Sequence, residues 1–216
     1  MERNIPFQQS DRKAKLFKTV YDFVASNIEP PQHIQVLRRA SAAMPMMILG
    51  FLWISSEKLF QIFESTEEVK GQKIKRILAI KDECDNINIR RECVLKSLII
   101  YLNEDPDSLF KEYLPSAVED AENDIVTTVM GIHTVRSHEF GEPDDVWVII
   151  EGVKVFTNVG SAIRAFISLF GLIYALDLSF PENLKYTFEF VQKILMNLDA
   201  HRLNTKIQQL KIKLFM

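Results

Sequence analysis

Cysteine is scarce in this chain: Cys84 and Cys93 are the only two among 216 residues. Two thiols cannot build a disulfide framework or a cysteine-rich zinc site. Seven glycines and eight prolines leave little material for long irregular loops, so most residues should lie in regular elements. Neither sign of charge dominates. The chain carries 26 Lys and Arg against 29 Asp and Glu, a net charge of −3, whereas a dedicated nucleic-acid module usually shows a strong basic excess or stripe. There is no G-x-G-x-x-G and no Walker A loop, so nucleotide binding lacks its usual backbone cradle, and no G-x-S-x-G elbow supports serine chemistry. The longest apolar run, Met44 to Ile54, is eleven residues broken by Pro45 and Gly50, far short of a membrane span. The opening MERNIPFQQSDRKAK puts charges where a secretory signal needs an apolar stretch. An intracellular chain is expected, cytoplasmic and nuclear placement being equally compatible.

What remains is ordinary globular material with one excess. Hydrophobic residues make up 47% and charged ones 25%, and phenylalanine reaches 15. The periodicity gives an α+β protein, predominantly helical, with a small antiparallel sheet in the C-terminal part. Ser10 caps a helix carrying Leu16, Phe17, Val20, Phe23 and Val24 at spacings of three and four, stopped by Pro30 and Pro31. A short helix follows over His33 to Arg39, and MPMMILGFLWI enters the core as a buried helix or an extended linker. Ser56 precedes the amphipathic EKLFQIF. Ser65 and Glu68 have capping-box spacing ahead of VKGQKIKRILAI. INIRRECVLKSLIIYL is a strong helix with Cys93, Val94, Leu98, Ile99 and Leu102 inward, and Arg90, Arg91, Glu92 and Lys96 outward. Asp105 and Pro106 start a further helix, SLFKEYL, ended by Pro115.

The composition then changes. Residues 104–124 hold eight acidic side chains against one lysine, a net charge of −7. IVTTVMGIHTV reads as one bent strand or two short ones around Gly131. VWVIIEGVKVF reads as a hairpin, with strands near 146–150 and 153–156 and a turn at Glu151-Gly152. Asn158 caps an almost wholly apolar helix, IRAFISLFGLIYAL, whose Phe166, Phe170, Ile173 and Tyr174 should bury against the hairpin. Ser179, Pro181 and Glu182 form a capping box ahead of LKYTFEFVQKILMNL, with Leu184, Phe188, Val191, Leu195 and Leu198 inward. TKIQQLKIKLF closes the chain as a basic amphipathic helix. This divides the chain into a helical region, 1–118, and an α+β region, 125–216, with the acidic segment between.

Three stretches, INIRRECVLKSLIIYLNEDPDSLF, the strand-turn-strand after PDDVWVII, and LFGLIYALDLSFPENLKYTFEFVQKILMNLD, resemble a large multi-copy group of uncharacterised fish proteins. Members are often labelled as similar to sterile alpha motif domain-containing protein 3. The resemblance is to the C-terminal region, without the sterile alpha motif: the first 45 residues are too short and wrongly patterned for one. It implies a grouping and carries over no catalytic or binding residue.

Asp144, Glu151 and Lys154 approximate the acid–acid–lysine pattern of metal-dependent nucleases, but two residues separate Glu151 from Lys154 where that pattern has one, and Glu151 falls at a turn. His133 and His138, with Glu139 beside them, fall on opposite faces of a strand, which does not make a zinc site. Cys84 and Cys93 read as structural thiols, and Ser179 as a helix cap. Lys206, Lys211 and Lys213 on the last helix, and Arg12, Lys13, Lys15 and Lys18 on the first, are the basic patches that an acidic partner or nucleic acid would meet. No catalytic, cofactor-binding or metal-ligating residue is assigned, and no cofactor. The reading is a non-enzymatic protein-interaction or scaffold module whose partner is a protein. The alternative is a mobile-element-derived nucleic-acid-binding or degenerate nuclease-like protein.

Overall fold

Helix periodicity, capping side chains and one strongly apolar hairpin account for most of the architecture of the computed structural model. It describes residues 48, 50, 56–66, 68–138, 141–176, 178–198 and 202–215. The helices expected over residues 10–39 lie outside these, as does most of 44–54, of which Ile48 is fully buried. The fold is α+β and mostly helical, with one four-stranded sheet. Among the described residues no helix is long and apolar enough to cross a membrane.

Helix α1 (Ser56–Glu64) and helix α2 (Glu68–Glu83) form a hairpin against α3 (Ile87–Tyr101). The Ser65–Glu68 box expected ahead of α2 involves the Glu68 side chain, which is not among those described; what Ser65 does show is a bond back to α1. Its hydroxyl donates to the Ile62 carbonyl, as does that of Thr66, so both close the end of α1. The start of α3 is held by Asn86, whose side-chain oxygen accepts from the backbone N–H of Asn88 at 2.8 Å. Its end is a Schellman turn: Asn103 takes φ 63°, and the N–H groups of Asn103 and Glu104 bond the carbonyls of Ile100 and Ile99.

That turn delivers Glu104 to a distant helix start. Its carboxylate accepts from the N–H of Tyr186 at 2.7 Å and of Thr187 at 2.9 Å, and from the Thr187 hydroxyl at 2.6 Å. These residues open α6 (Lys185–Phe190), which continues as one π-helical stretch, Val191–Leu195. The expected cap at Ser179 is absent: Glu182–Leu184 is a 3-10 turn with no side-chain cap bond, and Ser179 is exposed. A carboxylate fixed across the chain does the work of the local box, satisfying two amides that the helix cannot pair itself. Glu104→Ala should therefore cost about 1–2 kcal/mol, and Ser179→Ala no more than a few tenths, on the order expected of a surface substitution. Urea midpoints of the two variants, compared with wild type, check the ranking.

The expected helix SLFKEYL is replaced by a 3-10 turn, Pro106–Ser108, and strand β1 (Phe110–Tyr113). Asp105 does cap, accepting from the N–H of Asp107, but the helical path ends at once. Part of the region read as helical is thus extended. The reason is tertiary: β1 pairs in parallel with β2 (Met130–Val135), Phe110 opposite Ile132, and a strand partner outweighs a weak four-residue preference. Helix α4 (Val118–Ile125) makes the crossover between them, so the acidic segment supplies one strand and the helix that follows it. Residues 125–129 end that helix and turn, which leaves a single strand at IVTTVMGIHTV.

Strands β3 (Asp145–Ile150) and β4 (Val153–Phe156) complete the sheet as the expected antiparallel hairpin, giving the order β1-β2-β3-β4. Glu151 (φ 52°) and Gly152 (φ 73°) both take the left-handed conformation at its turn, the geometry that matches strand twist. Helix α5 (Ala162–Ala175) packs on β2 and β3. Its cap is Ser161, which accepts from the N–H of Arg164, not Asn158, which stands outside the helix at φ 53°. Phe166, Phe170 and Ile173 are buried and Tyr174 half-buried, with Phe166 and Phe170 also meeting Phe188 of α6. Helix α7 (Thr205–Phe215) buries Ile207, Leu210 and Leu214 against α1 and α6.

Candidate functional site

Strand alternation gives the sheet two differently covered faces. One face, Phe110, Ile132, Val146, Val148 and Ile150, joins the main core beneath α3 and α5. The other, Val135, Trp147 and Ile149, is covered by Ala121 and Ile125 of α4. Polar clusters sit at the margin of each.

At the first margin four charges meet. Arg136 follows β2 and donates through one nitrogen to both carboxylate oxygens of Glu92, at 3.2 and 3.0 Å. Lys96, one turn along α3, reaches Glu92 at 2.8 Å and also bonds Glu112 of β1. The sequence period placed Glu92 and Lys96 outward. Instead Glu92 is buried and Lys96 nearly so, because β1 and Arg136 close over that side of the helix. Burial opposes the charge of Glu112, but Lys96 and Arg136 outweigh it and hold the carboxyl below the usual range. By the same balance Lys96 and Arg136 stay protonated to higher pH than usual, the carboxylates of Glu92 and Glu112 overcoming burial. Cys93 next door is buried, and burial followed by Glu92 pushes its thiol up to about 12, so it is an inert thiol.

The second cluster lies under α4. His133, on β2, is 1% exposed. The Thr128 hydroxyl donates to the Asp124 backbone carbonyl at 2.8 Å and lies 3.4 Å from His133 Nε2. The Ala121 carbonyl is turned toward the ring, but Nδ1 is buried without a hydrogen bond. Tyr113 packs beside the imidazole at 5.2 Å and donates to Asp124 at 2.6 Å, and Lys111 donates to the same carboxylate oxygen at 2.9 Å. Burial first, then Lys111 and Lys154, lower the pKa of His133 to about 4 against the pull of Asp124. The imidazole is neutral at pH 7.

The residues singled out in the sequence are not gathered here. Asp144 accepts from Ser137 at one end of β3, and Glu151 sits in the turn at the other, roughly 20 Å away along a six-residue strand. Lys154 bonds Glu122 of α4, with its ammonium 3.4 Å from the Trp147 ring centre. His138 is exposed beyond β2, and Glu139 lies outside the described residues. Among the described residues no three His, Cys, Asp or Glu side chains come together as a metal would require. Lys206 and Lys213 fold back onto the end of α3, over Tyr186 and beside the Tyr101 hydroxyl, while Lys211 is half-buried. Arg12, Lys13, Lys15 and Lys18 lie outside the described residues. Two surface features went unread in the sequence. Lys70, Lys73, Lys75 and Arg76 of α2 form no ion pair among the described residues, a charge run visible in VKGQKIKRIL. Val126 and Val129 stand 75% and 65% exposed on the turn between α4 and β2. No family model, curated protein or solved structure matches the chain.

Proposed function

We propose that the chain is a non-enzymatic protein-interaction or scaffold module that meets its partner at one end of its sheet. The observation that carries this reading is the exposed pair Val126 and Val129. Their turn is bonded to the β3–β4 turn, Glu151 N–H to the Val129 carbonyl at 2.7 Å and Gly152 N–H to that of Thr128 at 2.9 Å. The apolar pair therefore stands beside edge strand β4, where an extended segment of a partner protein has both backbone to pair with and apolar contacts to bury. The charged clusters serve folding in this reading, since each ties one element to another.

A second reading, nucleic-acid binding, draws on the four cations of α2. One experiment addresses both. The intact chain is used to co-purify partners alongside the double variant Val126→Glu/Val129→Glu, with and without nuclease in the lysate. The proposal expects a protein whose recovery survives nuclease and falls at least tenfold in the variant, an order set by losing a small apolar contact, at an unchanged urea midpoint. Equal recovery with both chains sinks it, and recovery that vanishes with nuclease favours the second reading.

A further inference from the structure

We infer that α4 is an acid-released cover: charging His133 detaches this helix from the sheet and uncovers Val135, Trp147 and Ile149 while the rest of the fold stays closed.

The helix is lightly held. It has eight residues, neither its start nor the 3-10 turn before it has a side-chain cap bond, and it buries only Ala121 and Ile125. Those two belong to a small apolar cluster separate from the main core, so lifting α4 leaves the packing of α3, α5 and α6 intact. Its polar ties to the sheet are Asp124 to Lys111 and Tyr113 on β1, and Glu122 to Lys154 on β4.

His133 lies beneath it. The groups facing the ring are Lys111 and Tyr113 from β1, Asp124 and the Ala121 carbonyl from α4, Thr128 from the following turn, and Lys154 from β4. A second ring proton puts a cation on an imidazole that is itself enclosed, beside the ammonium groups of Lys111 and Lys154, which reach solvent at the edge of the site. Asp124 and the Ala121 carbonyl, both on α4, favour the added charge, but Asp124 is already shared by Lys111 and Tyr113, and burial with the two lysines outweighs the pair. Moving α4 aside hydrates the imidazolium at the expense of the small apolar cluster and of the Asp124 and Glu122 ties to the sheet, which together are cheaper to open than the main core. The sign follows from linkage: His133 takes up its proton near 6.5 when exposed and near 4 when covered, so the covered state loses stability as pH falls through that window.

The test is amide hydrogen exchange of the full chain at pH 7 and pH 5, corrected for intrinsic rates. Protection of segment 118–129 should fall on the order of tenfold relative to 87–101, after allowance for screening of the charges, and return at pH 7. His133→Gln, which cannot charge, should keep its protection at pH 5. In the wild-type chain the imidazole, followed by NMR, should titrate with the same midpoint as the loss of protection, a reading that needs no variant. Retained protection at pH 5 overturns the inference. So does an equal loss in His133→Gln, which assigns it to the carboxylates of α4, and so does parallel loss in both segments, which is global unfolding.

Discussion

Arg136→Ala should destabilise the protein by about 3 kcal/mol, the low end of the range for breaking a buried pair. The guanidinium is the larger of two cations serving Glu92, which is buried on α3, and the removal strands that carboxylate with Lys96 alone. Lys96 is shared with Glu112, so it cannot substitute fully. Replacing both ends by apolar side chains, Glu92→Leu with Arg136→Met, should recover most of the loss, because no buried charge is then left unpaired. Urea unfolding of the single and double variants measures this directly. A double variant no better than Arg136→Ala would mean that the pair orients β2 against α3, not merely that its halves neutralise each other. The network's pH behaviour follows from its shifts. Glu112 is held below its ordinary pKa, so its contribution is present above that range and fades as pH falls below it. Lys96 is raised, so its contribution is complete below its ordinary pKa and fades only in strong alkali. Near neutrality both contributions are whole.

The elements that sequence alone located are those whose signals are local. The hairpin at 145–156 announces itself by alternation and a glycine turn. Helix α3 does so by its density of apolar residues, which are buried on more than one face, and the inward face of the 184–195 stretch by Leu184, Phe188, Val191 and Leu195. Apart from the cap of α5, which is Ser161 three residues beyond the expected Asn158, the misreadings have a partner far away in the chain. FKEY is too short to declare a period and is a strand because β2 lies alongside it. Glu92 has the helical position of a solvated residue, but its partner Arg136 is 44 residues on. Ser179 and Glu182 have the spacing of a capping box, yet the start of α6 is held by Glu104, 82 residues before Tyr186. His133 stood out as a possible ligand beside His138. Its enclosure depends on residues 118–125 folding as a helix over the sheet, and the acidity of that stretch had masked its apolar positions, Ala121 and Ile125.

The excess of phenylalanine has its explanation in the packing of α5 against α6, and there the largest loss is expected. Phe188 is fully buried and meets three other rings: Phe180 at 5.2 Å, Phe166 at 5.7 Å and Phe170 at 6.1 Å, the last nearly parallel at 7°. Phe188→Ala removes the ring on which α5 and the 178–184 segment both rest, at a cost of about 3–5 kcal/mol for the cavity and lost contacts. Phe180 is half-buried at the margin of the same cluster, so Phe180→Ala should cost less, about 1–2 kcal/mol. Phe188→Leu keeps most of the volume without the ring stacking and should fall between them. It also supplies a measurable protein if the alanine variant does not fold. Denaturant midpoints at a constant slope check the order Phe188→Ala, Phe188→Leu, Phe180→Ala. A Phe188→Ala loss below about 1.5 kcal/mol, the scale of a single methylene deletion, would show that α6 relaxes into the space. The rings would then fill a tolerant gap rather than set the distance between the two helices.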